Sequence, residues 1–372
     1  MKYLLIYGTR PEAIKMAPVF QAMKSLGMTV ELCVSAQHRE MLDQVNDFFG
    51  IVPDYDLNIM QAGQSLNNLA SRLFAAIDEV LERANPDWLL VHGDTTTSVV
   101  AAWAAFHRGI KIGHVEAGLR TYNKQAPFPE ELNRQITGRI ANMHFVPTEK
   151  ARMNLLLEGI NEKNILITGN TVIDALHIGI LKIKGGASSK DLVSIKELIL
   201  PGKRVIAITG HRRENFGEGF ENLCMAIKTI ALLYPVVQLI YPVHMNPNVQ
   251  EPVNRILGNL GNVHLIQPID YPAFIFLMQQ CHFILTDSGG VQEEAPSLGK
   301  PVLVMRDTTE RPEALDAGTV KLTGTDTKRM IECMRTLLDD NSIYEKMSQA
   351  INPYGDGKSS LRIAEFYARK KR

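Results

Sequence analysis

The chain has 372 residues, and at roughly 100–200 residues per domain this length predicts two globular domains rather than one. Hydrophobic residues make up 45% of the sequence and charged residues 22%, an ordinary balance for a soluble, folded protein. Lys and Arg together number 40, as do Asp and Glu, which argues against a nucleic acid partner because such proteins usually carry a basic excess or stripe. A small basic pocket for a single anion is compatible with this balance.

No stretch of the sequence predicts a membrane segment or a targeting signal. Apolar runs such as 4–7 and 205–208 are far shorter than the ~20 residues that cross a bilayer. The sequence enters a strand pattern almost at once, without the charged and apolar regions of a signal peptide. The cysteines are widely spaced, so we expect reduced, structural thiols in a cytoplasmic protein. They are Cys33, Cys224, Cys281 and Cys333.

Short apolar runs alternate with longer segments of helical periodicity, the pattern of an α/β protein with parallel sheets. In the first half, helical periodicity covers 64–84 and 97–107, among other segments. The strands predicted for this half are 2–7, 29–35, 87–92, 111–115, 144–146 and 165–168.

A second series of elements follows a stretch of Gly-Gly-Ala-Ser-Ser within 184–190, which has the composition of a linker. Two series in succession predict two doubly wound domains. Ligands of such sheets bind beyond the carboxyl ends of the strands, so the site is expected in a cleft between the domains, lined by polar residues that follow strands. The strands predicted for the second series are 204–209, 236–242, 263–266, 283–286 and 301–304.

The turn after the first strand is a candidate anion site. Gly8 lets the backbone approach a ligand closely, while Arg10 and Lys15 place two positive charges near a helix start, which suits a phosphate or diphosphate. A tight turn with solvent-facing Arg and Lys side chains explains this stretch equally well.

The turn after 283–286 is a second candidate anion site. The backbone N–H groups of Ser288, Gly289 and Gly290 stand at a helix start, where an anion fits. Two glutamates follow, of which one could favour the helix dipole and the other could accept hydrogen bonds from sugar hydroxyls. They are Glu293 and Glu294.

Three carboxylates follow successive elements of the first domain. Asp94 and Glu116 each follow a predicted strand, and Glu130 opens a helix. Taken singly, each has a structural explanation, since Asp94 suits an N-cap, Glu130 suits a helix dipole and Glu116 could pair with Arg120. Together at the carboxyl ends of consecutive elements they favour a shared cleft.

In the second domain His211 follows a strand in the same way and is a candidate acid, base or phosphate ligand. His244 has a similar position, though a turn residue would explain it too. Gly217-Glu218-Gly219 lacks the third glycine of a dinucleotide fingerprint, and no metal-ligand spacing is present. We therefore predict no cofactor and no metal.

These motifs closely resemble those of the bacterial non-hydrolysing UDP-N-acetylglucosamine 2-epimerases, over essentially the whole chain and in the same order. The matching strings are GTRPEAIK at 8–15, AQHREML at 36–42, VHGDTTT at 91–97, HVEAGLR at 114–120, GHRREN at 210–215, LTDSGGVQEEAP at 285–296, RDTTERPE at 306–313 and NPYGDG at 352–357.

The resemblance implies a glycosyltransferase-B-like fold, with two Rossmann-like domains facing a central cleft, in a homodimer. The expected domains are residues 1–170 and a UDP-binding domain at 171–354, with a C-terminal helix at 355–372 that packs back onto the first domain. The substrate is expected to be UDP-N-acetylglucosamine, which also binds a second, allosteric site in members of the family.

The resemblance also implies roles for individual residues. The catalytic set consists of Asp94, Glu116, Glu130 and His211. Substrate and UDP are bound by Arg10, Lys15, Arg134, His244, Ser288, Gly289, Gly290, Glu294 and Arg311, of which Glu294 takes the ribose. The allosteric pocket is formed by Gln37, Gln64 and Arg212.

Such an enzyme inverts the configuration at carbon 2 of the sugar. No carbonyl group is adjacent to this carbon, so its hydrogen is not acidic. Loss of that proton must therefore be coupled to departure of UDP from carbon 1, which requires cationic groups for the diphosphate and carboxylates near both ring faces. Three alternatives are a hydrolysing epimerase that releases free N-acetylmannosamine and UDP, a glycosyltransferase of the same fold, and a catalytically silent sensor of sugar nucleotides.

Overall fold

The computed structural model describes residues 1–36, 39–61, 63–212, 215–309 and 311–370. These residues form two units, each with its own parallel sheet and with helices between successive strands, which confirms the predicted α/β class of Rossmann-like domains. Unit 1 comprises Met1–Ile178 and Tyr354–Arg372, and unit 2 comprises Gly179–Pro353. Among the helices that these ranges contain, none is long and apolar enough to span a membrane.

Unit 1 is built on a seven-stranded parallel sheet. Its strands are β1 (Lys2–Tyr7), β2 (Thr29–Val34), β3 (Tyr55–Asp56), β4 (Trp88–His92), β5 (Lys111–Val115), β6 (Met143–Val146) and β7 (Ile165–Ile167). They lie in the order β3-β2-β1-β4-β5-β6-β7. In the register of the central strands, Tyr3 of β1 pairs with Val30 on one side and with Trp88 on the other.

The helices of unit 1 cover both faces of this sheet, as the buried, continuous apolar strands require. They are α1 (Arg10–Ser25), α2 (Arg39–Phe49), α3 (Leu66–Ala84), α4 (Thr96–His107), α5 (Glu130–Ile140) and α6 (Glu149–Leu157). The next helix, α7 (Thr171–Lys184), begins in unit 1 and ends in unit 2.

Unit 2 is built on a six-stranded parallel sheet. Its strands are β8 (Val205–Thr209), β9 (Gln238–Pro242), β10 (Val263–Ile266), β11 (Phe283–Thr286), β12 (Val302–Val304) and β13 (Val320–Leu322), in the order β10-β9-β8-β11-β12-β13. Its helices are α8 (Lys190–Leu198), α9 (Glu218–Leu233), α10 (Pro247–Leu257), α11 (Tyr271–Gln280), α12 (Gly289–Glu294), α13 (Pro312–Asp316), α14 (Thr327–Asp339) and α15 (Asn341–Ser348).

The last helix, α16 (Ser359–Lys370), belongs to unit 1. Asp174 of α7 accepts hydrogen bonds from the backbone N–H groups of Ser359, at 3.1 Å, and Ser360, at 2.8 Å, and so satisfies two free donors at the helix start. Farther along, Tyr367 is fully buried, with its ring 5.1 Å from that of Tyr3. Removal of this aromatic ring from water stabilises the docked helix.

The carboxyl ends of the strands determine where a ligand can bind. In unit 1 the chain order reverses between β1 and β4, and in unit 2 it reverses between β8 and β11. Loops leave such a pair of strands in opposite directions and open a crevice between them. The residues that follow these strands therefore form the candidate site of each unit.

Candidate active site

One buried carboxylate, that of Glu12, joins the loop after β1 to the loop after β4. Its Oε2 accepts hydrogen bonds from the backbone N–H groups of Gly8 (3.0 Å) and Thr9 (2.9 Å) and from Thr9 Oγ1 (2.8 Å). Its Oε1 accepts hydrogen bonds from the hydroxyls of Thr95 (2.8 Å) and Ser98 (2.9 Å). Glu12 therefore fixes the two loops relative to each other at the switch point of the sheet.

Two of the predicted site residues, Arg10 and Asp94, lie on these loops. Arg10 is partly buried at the first position of α1. Arg134 Nη2 donates to Asp94 Oδ2 at 2.5 Å, and Asn133 Nδ2 donates to the backbone carbonyl of Asp94 at 2.9 Å. Because the Arg134 side chain is only 9% exposed, this charge-assisted hydrogen bond is screened little by water.

Glu116 follows β5, and its side chain is 10% exposed. Its Oε2 forms an ion pair with Lys15 Nζ and accepts a hydrogen bond from Asn170 Nδ2 at 2.8 Å. The Nε2 atom of His92 lies 3.7 Å from the same oxygen. The cation of Lys15 and the amide donor of Asn170 thus meet at one carboxylate oxygen, an arrangement that favours a carboxylate over a carboxylic acid.

The structure separates the roles of the two adjacent glutamates at the start of α5. Glu131 is fully buried and accepts hydrogen bonds from the backbone N–H groups of Thr121 and Tyr122, each at 3.0 Å, and from Gln135 Nε2 at 2.7 Å. Glu131 therefore organises the preceding loop. Glu130 is partly exposed and makes no hydrogen bond or ion pair within the described ranges, so its carboxylate is available to a ligand.

Two further histidines lie on the strands beside the predicted acids. Burial lowers the pKa of His114 to about 3 and that of His144 to about 4. Both rings are therefore neutral near neutral pH. The ring of His114 is held by its Nε2 atom, 2.7 Å from the carbonyl of Gly93. We interpret both as structural residues.

In unit 2 the fully buried Asp287 connects the ends of β8 and β11. Its Oδ2 accepts hydrogen bonds from the backbone N–H groups of His211 and Arg212, both at 2.8 Å. His211 Nδ1 lies 3.4 Å from Asp287 Oδ1, and the His211 ring stacks on that of His244 with 5.6 Å between centroids. Partial burial lowers the pKa of His211, although the charge of Asp287 opposes this shift.

The turn after β11 has the predicted form, since Ser288 is the N-cap residue of α12, and Gly289 and Gly290 begin the helix. The backbone N–H of Ser288 already donates to Thr286 Oγ1 at 2.9 Å. The glycine N–H groups have no acceptor within the helix, as is usual in a first turn. A Cβ atom on Gly289 would lie 3.3 Å from Arg311 Cζ, so a larger residue here would press on the guanidinium group.

The structure also separates the two glutamates of α12. Glu293, 1% exposed, accepts a hydrogen bond from Arg311 Nε at 2.8 Å. This contact aligns Arg311 against the first turn of the helix. Glu294 is buried as well, and its Oε1 accepts a hydrogen bond from the hydroxyl of Tyr271 at 2.9 Å.

The residues expected at a second site are only partly described. Gln37 lies outside the described residues. Gln64 Nε2 contacts Met60 Sδ at 3.0 Å, and its buried Oε1 has no hydrogen-bond partner among the residues that the structure describes. Arg212, in unit 2, is anchored through its backbone by Asp287. The allosteric role of all three residues remains a prediction.

Within unit 1 the structure brings Lys15 together with Glu116, and Asp94 with Arg134, as contacts between residues far apart in sequence. Four residues that support the predicted ones were missed: Glu12, His92, Asn170 and Asp287. Asn170 follows β7 and could have been found by the same rule as the acids, because polar residues after strands line the site. Within the described ranges no group of three or more His, Cys, Asp or Glu residues could hold a metal ion.

Comparisons with known proteins identify the family to which the chain belongs. The sequence profile of the UDP-N-acetylglucosamine 2-epimerase family matches residues 21–368. UDP-N-acetylglucosamine 2-epimerase of Escherichia coli strain K12 is 55% identical over 371 residues, which cover 98% of each chain.

Solved structures show the same likeness. The crystal structure of the Neisseria meningitidis UDP-GlcNAc 2-epimerase bound to UDP-GlcNAc is 50% identical and has a TM-score of 0.93, covering 99% of this chain and 100% of that one. The Methanocaldococcus jannaschii enzyme in complex with UDP-GlcNAc and UDP is 32% identical with a TM-score of 0.84, over 99% of this chain and 100% of that one. The predicted glycosyltransferase-B-like fold is thereby confirmed, and the chain belongs to the UDP-N-acetylglucosamine 2-epimerase family.

Proposed function

We propose that this protein interconverts UDP-N-acetylglucosamine and UDP-N-acetylmannosamine without hydrolysis. The main observation behind the proposal is a set of three carboxylates in the candidate site of unit 1. Two of them are paired with cationic side chains. Asp94 is bound to Arg134 and Glu116 to Lys15, whereas Glu130 has no partner within the described ranges. Membership of the epimerase family supports the same reaction.

The proposed chemistry is an elimination followed by a re-addition. A base removes the proton from carbon 2 while the bond from carbon 1 to the UDP oxygen breaks, which gives 2-acetamidoglucal and UDP. UDP then adds back to carbon 1, and a proton reaches carbon 2 on the opposite face. Each positioned acid or base typically contributes roughly 10²–10⁴ in rate. Because UDP stays bound, its re-addition is effectively unimolecular.

The environments of the carboxylates suit different steps of this scheme. Glu116, in contact with Lys15 and Asn170 and little exposed to water, is proposed as the group that takes the proton from carbon 2. Glu130, partly exposed and without an ion pair in the described ranges, is suited to exchange a proton with solvent. Asp94 has its charge balanced by Arg134. The net reaction is redox-neutral, so the scheme needs no nicotinamide.

Unit 2 is proposed to hold UDP. The N–H groups at the start of α12 and the cationic side chain of Arg311 would stabilise the diphosphate, whose charge develops as the bond to carbon 1 breaks. His211 would contact the same group, and the buried carboxylate of Glu294 would accept hydrogen bonds from the ribose, as the family resemblance implies.

Several broader features of the enzyme are part of the proposal. We infer that it is a cytoplasmic homodimer that supplies N-acetylmannosamine units for a cell-surface polysaccharide. A second molecule of UDP-N-acetylglucosamine is proposed to act as an activator at a site formed by Gln37, Gln64 and Arg212. The solved relatives that contain UDP-GlcNAc support the identity of the substrate.

Incubation of the purified protein with UDP-N-acetylglucosamine alone in D2O tests the reaction. We expect UDP-N-acetylmannosamine with deuterium at carbon 2, resolved by chromatography and NMR. Glu116→Gln should lower turnover by roughly 10²–10⁴. The matched control, Glu149→Gln, changes an exposed glutamate of α6 and should leave turnover unchanged.

Other products would contradict the proposal in different ways. Free N-acetylmannosamine with UDP would identify a hydrolysing enzyme, and product without deuterium would identify hydride transfer. Substrate left intact until an acceptor sugar is added would identify a glycosyltransferase, and tight binding without any turnover would identify a sensor.

A further inference from the structure

Asn170 contacts Glu116, one of the acids of the proposed catalytic set, and is itself 2% exposed. Its Nδ2 donates to Glu116 Oε2 at 2.8 Å, while its Oδ1 accepts the backbone N–H of Val172 at 3.0 Å at the start of α7. An ionised carboxylate only accepts hydrogen bonds and a backbone N–H only donates, so these two partners fix the orientation of the amide. Asn170 can therefore only donate to Glu116.

The backbone of Asn170 is held by the segment in which the chain returns to unit 1. Its N–H donates to the carbonyl of Tyr354 at 2.6 Å. At the preceding position, Gly169, a Cβ atom would lie 2.7 Å from Ser359 Oγ and 3.2 Å from Tyr354 O. The returning segment and the turn at 169–170 are thus packed backbone against backbone, with no room for a side chain.

We propose that Asn170 is a positioning residue for Glu116, which holds that carboxylate ionised and oriented and links it to the segment that begins at Tyr354. The inference rests on the role proposed for Glu116 above. Among the described residues, the titratable groups near Glu116 include Lys15 on α1 and His92 at the end of β4. Lys15 pairs with its charge, whereas Asn170 supplies a neutral donor of fixed direction.

Two substitutions separate this role from a merely structural one. Asn170→Asp keeps the size of the side chain and the acceptor for Val172 but replaces the donor with a second negative charge. Asn170→Ala removes both contacts and adds no charge. If Asn170 only filled space and capped α7, Asn170→Asp would lose less activity than Asn170→Ala.

Because Asn170 acts through Glu116, we expect kcat to fall roughly 10–100-fold in both variants, while KM changes less than about threefold. The acid limb of the pH profile of kcat should move to higher pH, by about one unit in Asn170→Ala and farther in Asn170→Asp. The shift should be larger in Asn170→Asp because a nearby negative charge favours the protonated form of Glu116 more strongly than the loss of a donor does.

Asn341→Asp is the matched control, since Asn341 on α15 of unit 2 is exposed and its Nδ2 also donates to a carboxylate, Glu345 Oε1, at 2.7 Å. It should keep the kcat and pH profile of the wild type. If Asn170→Ala fails to fold, Asn170→Ser provides a second test. Its hydroxyl can still cap α7 but is too short to reach Glu116, so it should show the same shift of the acid limb.

Glu116→Gln, measured in parallel, separates the two proposals. If Glu116→Gln is inactive but the Asn170 variants retain wild-type kcat and pH profile, the inference about Asn170 is wrong and the proposed function stands. The inference is also wrong if Asn170→Asp is less impaired than Asn170→Ala. Wild-type turnover in Glu116→Gln would overturn the inference together with the role proposed for Glu116.

Discussion

Glu116 has a backbone φ of 59°, in the left-handed region that a residue with a side chain rarely adopts. Such a conformation costs of order 1–3 kcal/mol and persists only where the surroundings impose it. Here the surroundings include the ion pair with Lys15 and the hydrogen bond from Asn170. The strain and the convergence of nitrogen groups on one carboxylate are the residue-scale signs of a functional site.

Like the conformation of Glu116, the protonation of His211 depends on a few neighbouring groups. Burial lowers its pKa, the charge of Asp287 raises it, and His244 lowers it further. As pH rises, His211 therefore loses its proton earlier than an ordinary histidine. If the protonated ring is the form that contacts the diphosphate, UDP should bind more weakly as pH rises through this lowered pKa.

We predict opposite shifts of the His211 pKa in two variants. Asp287→Asn removes the stabilising negative charge and should lower it further, whereas His244→Gln removes an opposing group and should raise it. The His211 ring signal can be followed by NMR titration and assigned by its loss in His211→Asn. Shifts of the same sign in both variants would show that these neighbours do not control the ring.

At the scale of elements, the loops after β1 and β4 behave as one body because both are bound to Glu12. Two backbone N–H groups and three hydroxyls donate to this single buried carboxylate. A buried donor left without a partner costs about 1–3 kcal/mol, so the loops are held far more firmly than their turn sequences alone would allow.

Glu12→Ala should therefore destabilise unit 1 by about 3–5 kcal/mol and lower turnover, since the loops that carry Arg10 and Asp94 lose their common anchor. Glu12→Gln should cost less, because its amide can face the hydroxyls of Thr95 and Ser98, which can accept as well as donate.

Urea unfolding followed by tryptophan fluorescence measures this effect in unit 1, because Trp88 and Trp103 are the only tryptophans of the chain and both belong to that unit. Glu40→Ala, an exposed change on α2, is the control. If Glu12→Ala lost no more stability than this control, Glu12 would not be the anchor of the two loops.

Most elements of the fold could be predicted from local sequence. The strands at 2–7, 111–115, 263–266 and 283–286 were predicted to the residue, because buried parallel strands appear as short continuous apolar runs. The strands β3 and β13 were missed, since two or three residues at the edge of a sheet leave no periodicity to detect.

The site was only partly predictable, for a related reason. Acids such as Glu116 could be found because they directly follow strands. The anchoring contacts of Glu12 with Thr95 and of Asn170 with Glu116 could not, because they join residues 83 and 54 positions apart and depend on the order of the strands in the sheet. The fourth strand of the chain pairs with the first, which no local pattern reveals.

At the scale of the whole molecule, the exposed apolar side chains of unit 1 are relevant to the expected homodimer. On α4, Trp103 is 44% exposed and Phe106 is 57% exposed. The ring of Trp103 packs edge-on against Phe74 of α3, with 5.7 Å between centroids. Exposed aromatic groups of this kind are typical of surfaces that a protein partner covers.

We predict that this aromatic surface of α3 and α4 forms the homodimer interface. The wild-type protein should have twice the chain mass of 41.5 kDa in solution, and Trp103→Glu combined with Phe106→Glu should give monomers, because a buried, unpaired carboxylate opposes association. Light scattering coupled to gel filtration measures the mass. Leu232→Glu with Leu233→Glu, which alters exposed leucines on α9 of unit 2, should leave the dimer intact. A dimer that survives the first pair and dissociates with the second would place the interface on unit 2 instead.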